Sequence, residues 1–156
     1  MIKLAVVGYG YWGPNLVRNI CDCARADLAA VCDASPERLA VAAGRYPAAR
    51  MSTSFADVLS DPQVDAVAIA TPVSTHFELA MAALKAGKHV LLEKPMTRTV
   101  ADCAHVMNAI SGHDPRDPAS ADQTVPDFTS GLKQGLQGLR IGVPLDFFYD
   151  DIDLEI

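Results

Sequence analysis

Short, uninterrupted runs of apolar residues alternate with amphipathic segments along most of the chain. The apolar runs predict five strands, at residues 2–7, 28–32, 50–53, 65–70 and 90–92. Apolar residues at helical spacing predict helices near 12–24, 35–46, 54–59, 74–86 and 100–110. Because the strands are continuously apolar rather than alternating, both faces of their sheet should be covered. The pattern predicts an α/β fold, with an open, mostly parallel sheet and helices on both faces.

The pattern changes after residue 111. Residues 112–138 are rich in proline, aspartate, serine and glycine, and a connection of this length is uncommon inside a compact domain. An apolar run returns at 139–143 and predicts one possible further strand. We therefore expect one α/β domain at residues 1–111 and an irregular, loop-rich tail at 112–156.

The first predicted turn carries three glycines, Gly8, Gly10 and Gly13, in the spacing G-x-G-x-x-G. Between a strand and a helix, this spacing is typical of a Rossmann-type dinucleotide-binding turn. Gly8 permits the sharp turn, Gly10 lets a pyrophosphate approach the backbone, and Gly13 lets the helix pack closely on the strand. The helix N-terminus then offers free N–H groups to the phosphates. Tyr11 and Trp12 stand in the same turn, where they either flank the dinucleotide or serve as packing residues.

Asp33 ends the second predicted strand, roughly 20 residues past the glycines, where such folds carry an acidic residue. A carboxylate here accepts hydrogen bonds from the ribose hydroxyls of adenosine and repels a 2′-phosphate, which favours NAD over NADP. Arg38 argues the other way, because a nearby guanidinium accommodates the 2′-phosphate. The alternatives are a turn or helix-capping role for Asp33 and a solvated helix surface for Arg38. The sequence thus predicts NAD and leaves NADP possible.

Charge and composition limit the other classes of partner. The chain of 156 residues is 50% hydrophobic and 21% charged, with a formal net charge of -6, which argues against nucleic acid. No apolar run reaches the roughly 20 residues of a membrane span, and the N-terminus lacks the features of a signal peptide. The four cysteines, Cys21, Cys23, Cys32 and Cys103, lack metal-ligand spacing and are expected to be reduced, mostly buried thiols. We expect a cytoplasmic protein with no metal, membrane or nucleic-acid partner.

Three motifs occur in order: "VVGYGYWGPNLVRNI", "VCDASPERL" and "AIATPVSTHFELAMAALKAGKHVLLEKPM". Together they resemble the N-terminal domain of the Gfo/Idh/MocA oxidoreductases, from residue 1 to about 97. The resemblance implies that Ala70, Thr71 and Pro72 line the nicotinamide ribose and that His76 stands near the dinucleotide. A local hydrogen-bonding role at the start of its helix is the alternative for His76.

The resemblance also implies roles for the "EKP" motif that follows the fifth predicted strand. Glu93 would contact the nicotinamide side, and the bond before Pro95 is often cis in the family. Lys94 would reach the substrate hydroxyl, and a lysine whose pKa is lowered by partial burial could relay its proton while the nicotinamide takes the hydride. Without the resemblance, adjacent Glu and Lys residues are equally typical of a surface.

The tail resembles a different family. The run "GHDPRDPASAD", followed by "VPDF" and "GLRIGVPLDFF", is similar to the amidase-signature family, from about residue 96 to 156. The Ser-Ser-Lys machinery of that family is missing, so amidase activity is not expected. The sequence is best interpreted as a hybrid joined near "EKPMTRTVADC", in which the helix at 100–110 keeps its oxidoreductase position and residues 139–143 fill a sixth-strand slot. Residues 113–135 should then be mobile.

Two functions remain open. The first is the NAD(P)-binding domain of an oxidoreductase that transfers hydride between nicotinamide and a sugar or polyol hydroxyl, truncated because the family's second domain is expected to be missing. The second is a non-catalytic nucleotide-binding module or an inactive hybrid relic. The resemblance implies a small sugar or polyol substrate without specifying it, and it leaves the oligomeric state open.

Overall fold

The computed structural model describes residues 1–135, 137–140 and 142. Within this part of the chain, strands and helices alternate strictly up to the last helix. The elements are β1 (Ile2–Val7), α1 (Gly13–Asp22), β2 (Ala26–Cys32), α2 (Pro36–Arg45), β3 (Arg50–Ser52), α3 (Phe55–Ser60), β4 (Ala66–Ile69), α4 (Val73–Lys85), β5 (His89–Leu92) and α5 (Val100–Ile110). The bounds follow the predicted elements closely, so the hydrophobic pattern alone locates the regular structure of this domain.

The five strands form one parallel sheet in the order β3-β2-β1-β4-β5. The order reverses between β1 and β4. Strands β2 and β3 are added on one side of β1, and the chain then crosses back so that β4 and β5 are added on the other side. Such a reversal opens a crevice at the carboxyl ends of the two neighbouring strands, and ligands bind there in open α/β sheets. The predicted Rossmann-type fold class is confirmed.

Each face of the sheet is covered by two helices. On one face, Val17 and Ile20 of α1 and Leu39 of α2 pack against the strands. On the other face, Val58 of α3 and Ala83 of α4 do the same. Because both faces are buried, β4 consists of four consecutive buried apolar residues, as expected for a central parallel strand.

Polar residues and glycine fix the ends of several helices. The hydroxyl groups of Ser35, Ser54 and Thr99 accept hydrogen bonds from backbone N–H groups in the first turns of α2, α3 and α5, the usual N-cap arrangement. At the end of α4, Gly87 has φ +72, as a residue that closes a helix in the left-handed region does. These residues therefore set where α2, α3 and α5 begin and where α4 ends.

Helix α5 packs beside α4, with the rings of Phe77 and His105 6.2 Å apart. Ala104 and Val106 are buried, so α5 belongs to the folded domain, as the sequence predicted. Residues 111–135 contain no helix or strand. They are attached to α5 by Asn108, whose amide donates to the Asp127 carboxylate (2.8 Å) and accepts from the Phe128 N–H (2.9 Å).

The structure bears on three further expectations. The possible strand at 139–143 falls partly outside the described residues, and Leu139 and Arg140 are not in regular structure, so it stays a prediction. The expectation of mostly buried thiols is wrong for Cys21 and Cys23, which are exposed because they lie at the solvent-facing end of α1. No helix in the described part of the chain is long and apolar enough to cross a membrane.

Candidate functional site

A cavity of about 670 Å³ lies at the carboxyl ends of β1, β2 and β4, where the strand order reverses. It is lined by Gly8, Gly10, Tyr11, Trp12, Asp33, Arg38, Ala70, Thr71 and Pro72, all of which the sequence had proposed as site residues. Its volume is in the usual range for small-molecule and cofactor sites. The structure therefore brings the glycine turn, the Asp33–Arg38 pair and the residues that follow β4 together around one opening.

The glycine turn allows parts of the backbone to approach each other closely. Gly8 has φ +95, and a Cβ there would lie 2.9 Å from backbone atoms of Ala70 and Thr71. A Cβ on Gly13 would overlap with the carbonyl oxygen of Gly8. Gly10 differs, because its Cβ would meet only the Arg38 guanidinium, at 3.6 Å. Gly8 and Gly13 are therefore required by the turn itself, whereas Gly10 leaves open space in the cavity.

The N-terminus of α1 faces the glycine turn without a competing acid. Trp12 occupies the N-cap position but makes no side-chain capping hydrogen bond, Pro14 lies in the first turn, and that turn has no acidic residue. An uncapped helix start presents positive partial charge and free N–H groups. Tyr11 and Trp12 are 95% and 46% exposed, so their rings lie at the rim of the cavity rather than in the core.

Asp33 is the buried acid of the site, 7% exposed. One carboxylate oxygen accepts from the Tyr9 N–H at 2.6 Å and the other from the Ser35 N–H at 2.8 Å. The Arg38 guanidinium lies 3.6 Å from the same oxygen that Tyr9 contacts. A carboxylate has about four lone-pair positions, so Asp33 is rigidly held and retains capacity for another donor. Asp33 and Arg38 are the only charged residues among the described residues that line the cavity.

His76 lies behind the cavity rather than in it. The side chain is buried, with Nδ1 2.8 Å from the Pro95 carbonyl oxygen and Nε2 2.9 Å from the Thr71 carbonyl oxygen. Both contacts are donated hydrogen bonds only when both ring nitrogens carry protons, because both partners are acceptors. His76 thus ties the chain after β4 to the chain after β5, which agrees with the local hydrogen-bonding alternative.

The "EKP" residues leave β5 next to the site but do not line the cavity. The Lys94–Pro95 peptide bond is cis. Glu93 is partly buried, and its carboxylate accepts from the Lys94 N–H at 3.3 Å. The Lys94 side chain is exposed, so the partial burial invoked for it from the sequence is absent. The site roles of Glu93, Lys94 and Pro95 remain predictions.

Several lining residues were not predicted from the sequence. Phe55 and Leu79 supply an apolar wall, and Thr53 and Thr75 supply hydroxyls. The hydroxyl oxygens of Thr75 and Thr71 lie 2.7 Å apart, within hydrogen-bond distance, and their spacing of four residues at the start of a helix was a usable signal. Nothing in the sequence pattern pointed to Phe55, because its position depends on how α3 packs against the sheet.

Cys32 also lines the cavity and was expected only as a core thiol. The side chain is buried at the end of β2, beside Asp33. Burial, followed by the negative charges of Asp33 and Asp57, raises the pKa of the Cys32 thiol to about 11. A thiol with this pKa stays protonated at neutral pH and is a poor nucleophile. Cys32 is thus an apolar part of the wall rather than a reactive group.

The fold and this cavity define a dinucleotide-binding Rossmann domain of the kind found in dehydrogenases. The chain belongs to the Gfo/Idh/MocA family, whose profile, described as "oxidoreductase family, NAD-binding Rossmann fold", matches residues 2–115. The match includes α5, so it extends past the residue near 97 at which the sequence resemblance had ended. The predicted family and fold are both confirmed.

Two solved structures illustrate the similarity. An NAD-binding protein from Listeria innocua is 39% identical, with a TM-score of 0.64 over 69% of this chain and 32% of that chain. Scyllo-inositol dehydrogenase from Lactobacillus casei, solved with NAD(H) and scyllo-inositol, is 31% identical, with a TM-score of 0.67 over 70% of this chain and 33% of that chain. The chain thus spans about a third of the length of these proteins.

A second similarity concerns a different class of enzyme. The A subunit of glutamyl-tRNA(Gln) amidotransferase from Desulfotalea psychrophila is 52% identical over 62 residues, which are 40% of this chain and 13% of that protein. The predicted amidase-like segment is therefore confirmed. An oxidoreductase domain and an amidase-like segment occur in one chain, as the hybrid interpretation expects.

Proposed function

We propose that the chain binds a nicotinamide dinucleotide in the 670 Å³ cavity, with NAD preferred over NADP. The observation that carries this proposal is the pairing of the open glycine turn with the buried Asp33 carboxylate, which is oriented by the Tyr9 N–H inside that turn and by the Ser35 N–H. A merely structural turn needs Gly8 and Gly13, but it does not need the open space beside Gly10.

The pyrophosphate would lie over Gly10, at the start of α1. The phosphates would accept hydrogen bonds from the uncapped first turn, where neither a side-chain cap nor an acid competes. Trp12 and Tyr11 would flank this position from the rim. A side chain at position 10 would occupy the space of the phosphates while making only ordinary contact with Arg38.

The adenosine ribose would lie against Asp33, which sets the cofactor preference. Two backbone N–H groups already fix both carboxylate oxygens, so the carboxylate is oriented before the ligand binds. Its negative charge favours ribose hydroxyls and opposes a 2′-phosphate. Arg38, whose side chain is 58% exposed, could turn toward a 2′-phosphate, and this is why NADP is disfavoured rather than excluded.

The nicotinamide would lie near Ala70, Thr71 and Pro72, beside the "EKP" residues. We propose that Glu93 and Pro95 border the ring and that Lys94 accepts the proton of a sugar or polyol hydroxyl. The bound cofactor would supply the hydride acceptor. The scyllo-inositol dehydrogenase is similar in this part of its chain and supports this substrate class. His76 would act on this end of the site indirectly, by holding the Thr71 and Pro95 carbonyls.

A non-catalytic binding module is the second candidate, favoured by the exposed position of Lys94 outside the cavity lining. The two candidates differ in turnover. Purified chain would be incubated with NAD and a panel of sugars and inositols, and NADH formation followed by its absorbance. We expect rates near background, and a Lys94→Met variant distinguishes true turnover from contaminants. A Lys94-dependent rate well above background would reject the binding-module candidate.

Cofactor binding itself is testable by fluorescence, because Trp12 is the only tryptophan in the chain and lies at the cavity rim. We expect saturable quenching by NADH, a weaker response to NADPH, and loss of binding in Gly10→Val. Gly44→Val is the matched control, since a Cβ added at Gly44 would meet no atom within 4 Å beyond its own helix. Asp33→Asn should weaken NADH binding by about tenfold or more. The ratio of the affinities for NADH and NADPH should also become smaller. No saturation at millimolar NADH would reject the proposal.

A further inference from the structure

The turn between β1 and α1 has one buried side chain, that of Tyr9, which is 4% exposed. Gly8 and Gly10 on either side of it have no side chain, and the rings of Tyr11 and Trp12, which follow, are exposed. Glycine loses more conformational freedom on folding than any other residue. The Tyr9 side chain is therefore what ties this part of the turn to the core.

The Tyr9 ring packs with residues of both α1 and α2. It belongs to the same buried cluster as Val17 and Ile20 of α1 and Leu39 of α2. A Cβ added at Gly13, the first residue of α1, would lie 3.8 Å from ring atom Cδ2. The Tyr9 hydroxyl is also buried and has no hydrogen-bond partner among the described residues. Apolar packing of the ring, rather than a hydrogen bond from the hydroxyl, therefore holds the side chain in place.

The backbone of the same residue contacts the buried acid of the site. The Tyr9 N–H donates to one Asp33 carboxylate oxygen at 2.6 Å, and this contact is buried. The other oxygen accepts from the N–H of Ser35, which lies on the same loop as Asp33. Tyr9 therefore supplies the hydrogen bond that links Asp33 to the glycine turn, across 24 residues of sequence.

We propose that Tyr9 is a positioning residue, whose buried ring fixes the glycine turn so that its N–H orients the Asp33 carboxylate toward the adenosine ribose. This inference rests on the proposed function, in which the ribose hydroxyls donate to Asp33. Tyr9 does not line the cavity, so the ring acts through the backbone rather than by touching the cofactor. A smaller side chain at position 9 leaves the turn less ordered, and part of the ordering cost is then moved from folding to binding.

The 2′ position of the adenosine ribose reports this role selectively. A less ordered turn lowers the affinity for every dinucleotide, and this general loss is shared by ligands that differ only at the 2′ position. The preference for a 2′-hydroxyl over a 2′-hydrogen depends instead on the oriented Asp33 carboxylate, because the analogue without the hydroxyl leaves that acceptor unpaired. The probes are therefore NADH and its 2′-deoxyadenosine analogue, both followed by the fluorescence of Trp12, the only tryptophan.

The measured quantity is the dissociation constant for the 2′-deoxy analogue divided by that for NADH, called the 2′ ratio below. In wild type the 2′ ratio should be about ten or more. Tyr9→Ala should lower it severalfold, whereas Tyr9→Phe, which keeps the ring, should match wild type. Tyr9→Leu provides the same measurement if Tyr9→Ala does not fold, and it should also lower the 2′ ratio, because a leucine fills only part of the space of the ring.

Ile20→Ala is the matched control for lost packing. Ile20 lies in the same cluster as Tyr9, near the other end of α1. Its replacement should lower the midpoint of thermal unfolding and leave the 2′ ratio unchanged. A double-mutant cycle with Asp33→Asn gives a second readout, because residues that act through one hydrogen bond are not additive. In the Asp33→Asn background, Tyr9→Ala should change the 2′ ratio no further.

Wild type decides first whether the proposed function holds. No saturable NADH binding, or a 2′ ratio near one in wild type, would reject the ribose position against Asp33 and the role of Tyr9 with it. A wild-type chain that discriminates, together with an unchanged 2′ ratio in Tyr9→Ala and Tyr9→Leu, would overturn the role of Tyr9 alone. A lowered 2′ ratio in Tyr9→Phe or Ile20→Ala would also overturn it, because the effect would then come from the hydroxyl or from a general loss of packing.

Discussion

Cys32 and Asp33, two neighbouring residues at the end of β2, are both buried but differ in their hydrogen-bond partners. Asp33 is buried, and its two carboxylate oxygens accept hydrogen bonds from the N–H groups of Tyr9 and Ser35. Cys32, one residue earlier, is buried near carboxylates without such support, and the pKa of its thiol is raised to about 11. The two neighbouring side chains thus differ in their hydrogen-bond partners, and only the Asp33 carboxylate accepts from two backbone N–H groups.

The raised pKa of Cys32 predicts a loss of stability at alkaline pH. An exposed thiol, as in the unfolded chain, ionises near a pKa of roughly 8.5, well below the folded value of about 11. Below both values the thiol is protonated in both states, and there is no effect. As the pH rises from about 9 to 11, the unfolded state releases a proton that the native state keeps, so the free energy of unfolding falls, by up to about 3 kcal/mol.

Denaturant unfolding at a series of pH values between about 8 and 10.5 measures this loss, with Cys32→Ala as the comparison. The variant loses packing at every pH, but its stability should fall less steeply with pH than that of wild type. Identical slopes for the two chains would mean that Cys32 titrates normally. A Cys23→Ala control should leave the slope unchanged, because Cys23 is exposed.

The residues of the site were predictable to different degrees. Gly8, Gly10 and Asp33, which line the cavity, could be proposed from the sequence because their positions follow from local backbone geometry and from spacing along the chain. Tyr9 was missed, because it contributes its backbone N–H to Asp33. Every residue except proline has a backbone N–H, so the residue type does not indicate this role. Phe55 and the other apolar liners come from separate crossovers, whose approach to each other is a property of the packed sheet.

At the scale of elements, His76 connects two strand exits that the chain separates by a whole helix. Its two ring nitrogens contact the carbonyls of Thr71 and Pro95, one after β4 and one after β5. The family resemblance identified the residue and implied a position near the dinucleotide, which stays a prediction. The observed position lies behind the residues that line the cavity, because α4 turns His76 in its first turn toward the buried side.

Replacing His76 should therefore affect stability and binding together. His76→Phe fills the space but removes the ring-nitrogen contacts to the Thr71 and Pro95 carbonyls, and we expect a loss of about 1–3 kcal/mol in the free energy of unfolding. NADH affinity should fall severalfold, because Thr71 lines the cavity. His113→Phe, in the exposed segment after α5, should change neither. Weaker NADH binding with unchanged stability would instead indicate direct contact between His76 and the cofactor.

At the scale of the whole molecule, α5 is the last helix of the oxidoreductase domain. The oxidoreductase profile includes this helix, and the helix packs through Ala104 and Val106 on the domain. The periodicity of α5 predicted its existence, whereas its position in the domain was predicted only from the family resemblance. Beyond it, residues 111–135 form turns held mainly by their own side chains, such as the Arg116–Asp114 ion pair.

This organisation predicts a sharp boundary in amide hydrogen exchange. Amides of Ala66–Ile69 lie in the centre of the sheet and should exchange only through global unfolding, whereas residues 113–135 should exchange at least ~1,000-fold faster. The Phe128 N–H should be an exception, because it donates to the Asn108 side chain on α5 at 2.9 Å. Asn108→Ala should remove that local protection and leave β4 unchanged. If the whole of 113–135 were as protected as β4, the amidase-like segment would be an integral part of the oxidoreductase core, and the boundary drawn at residue 111 would be wrong.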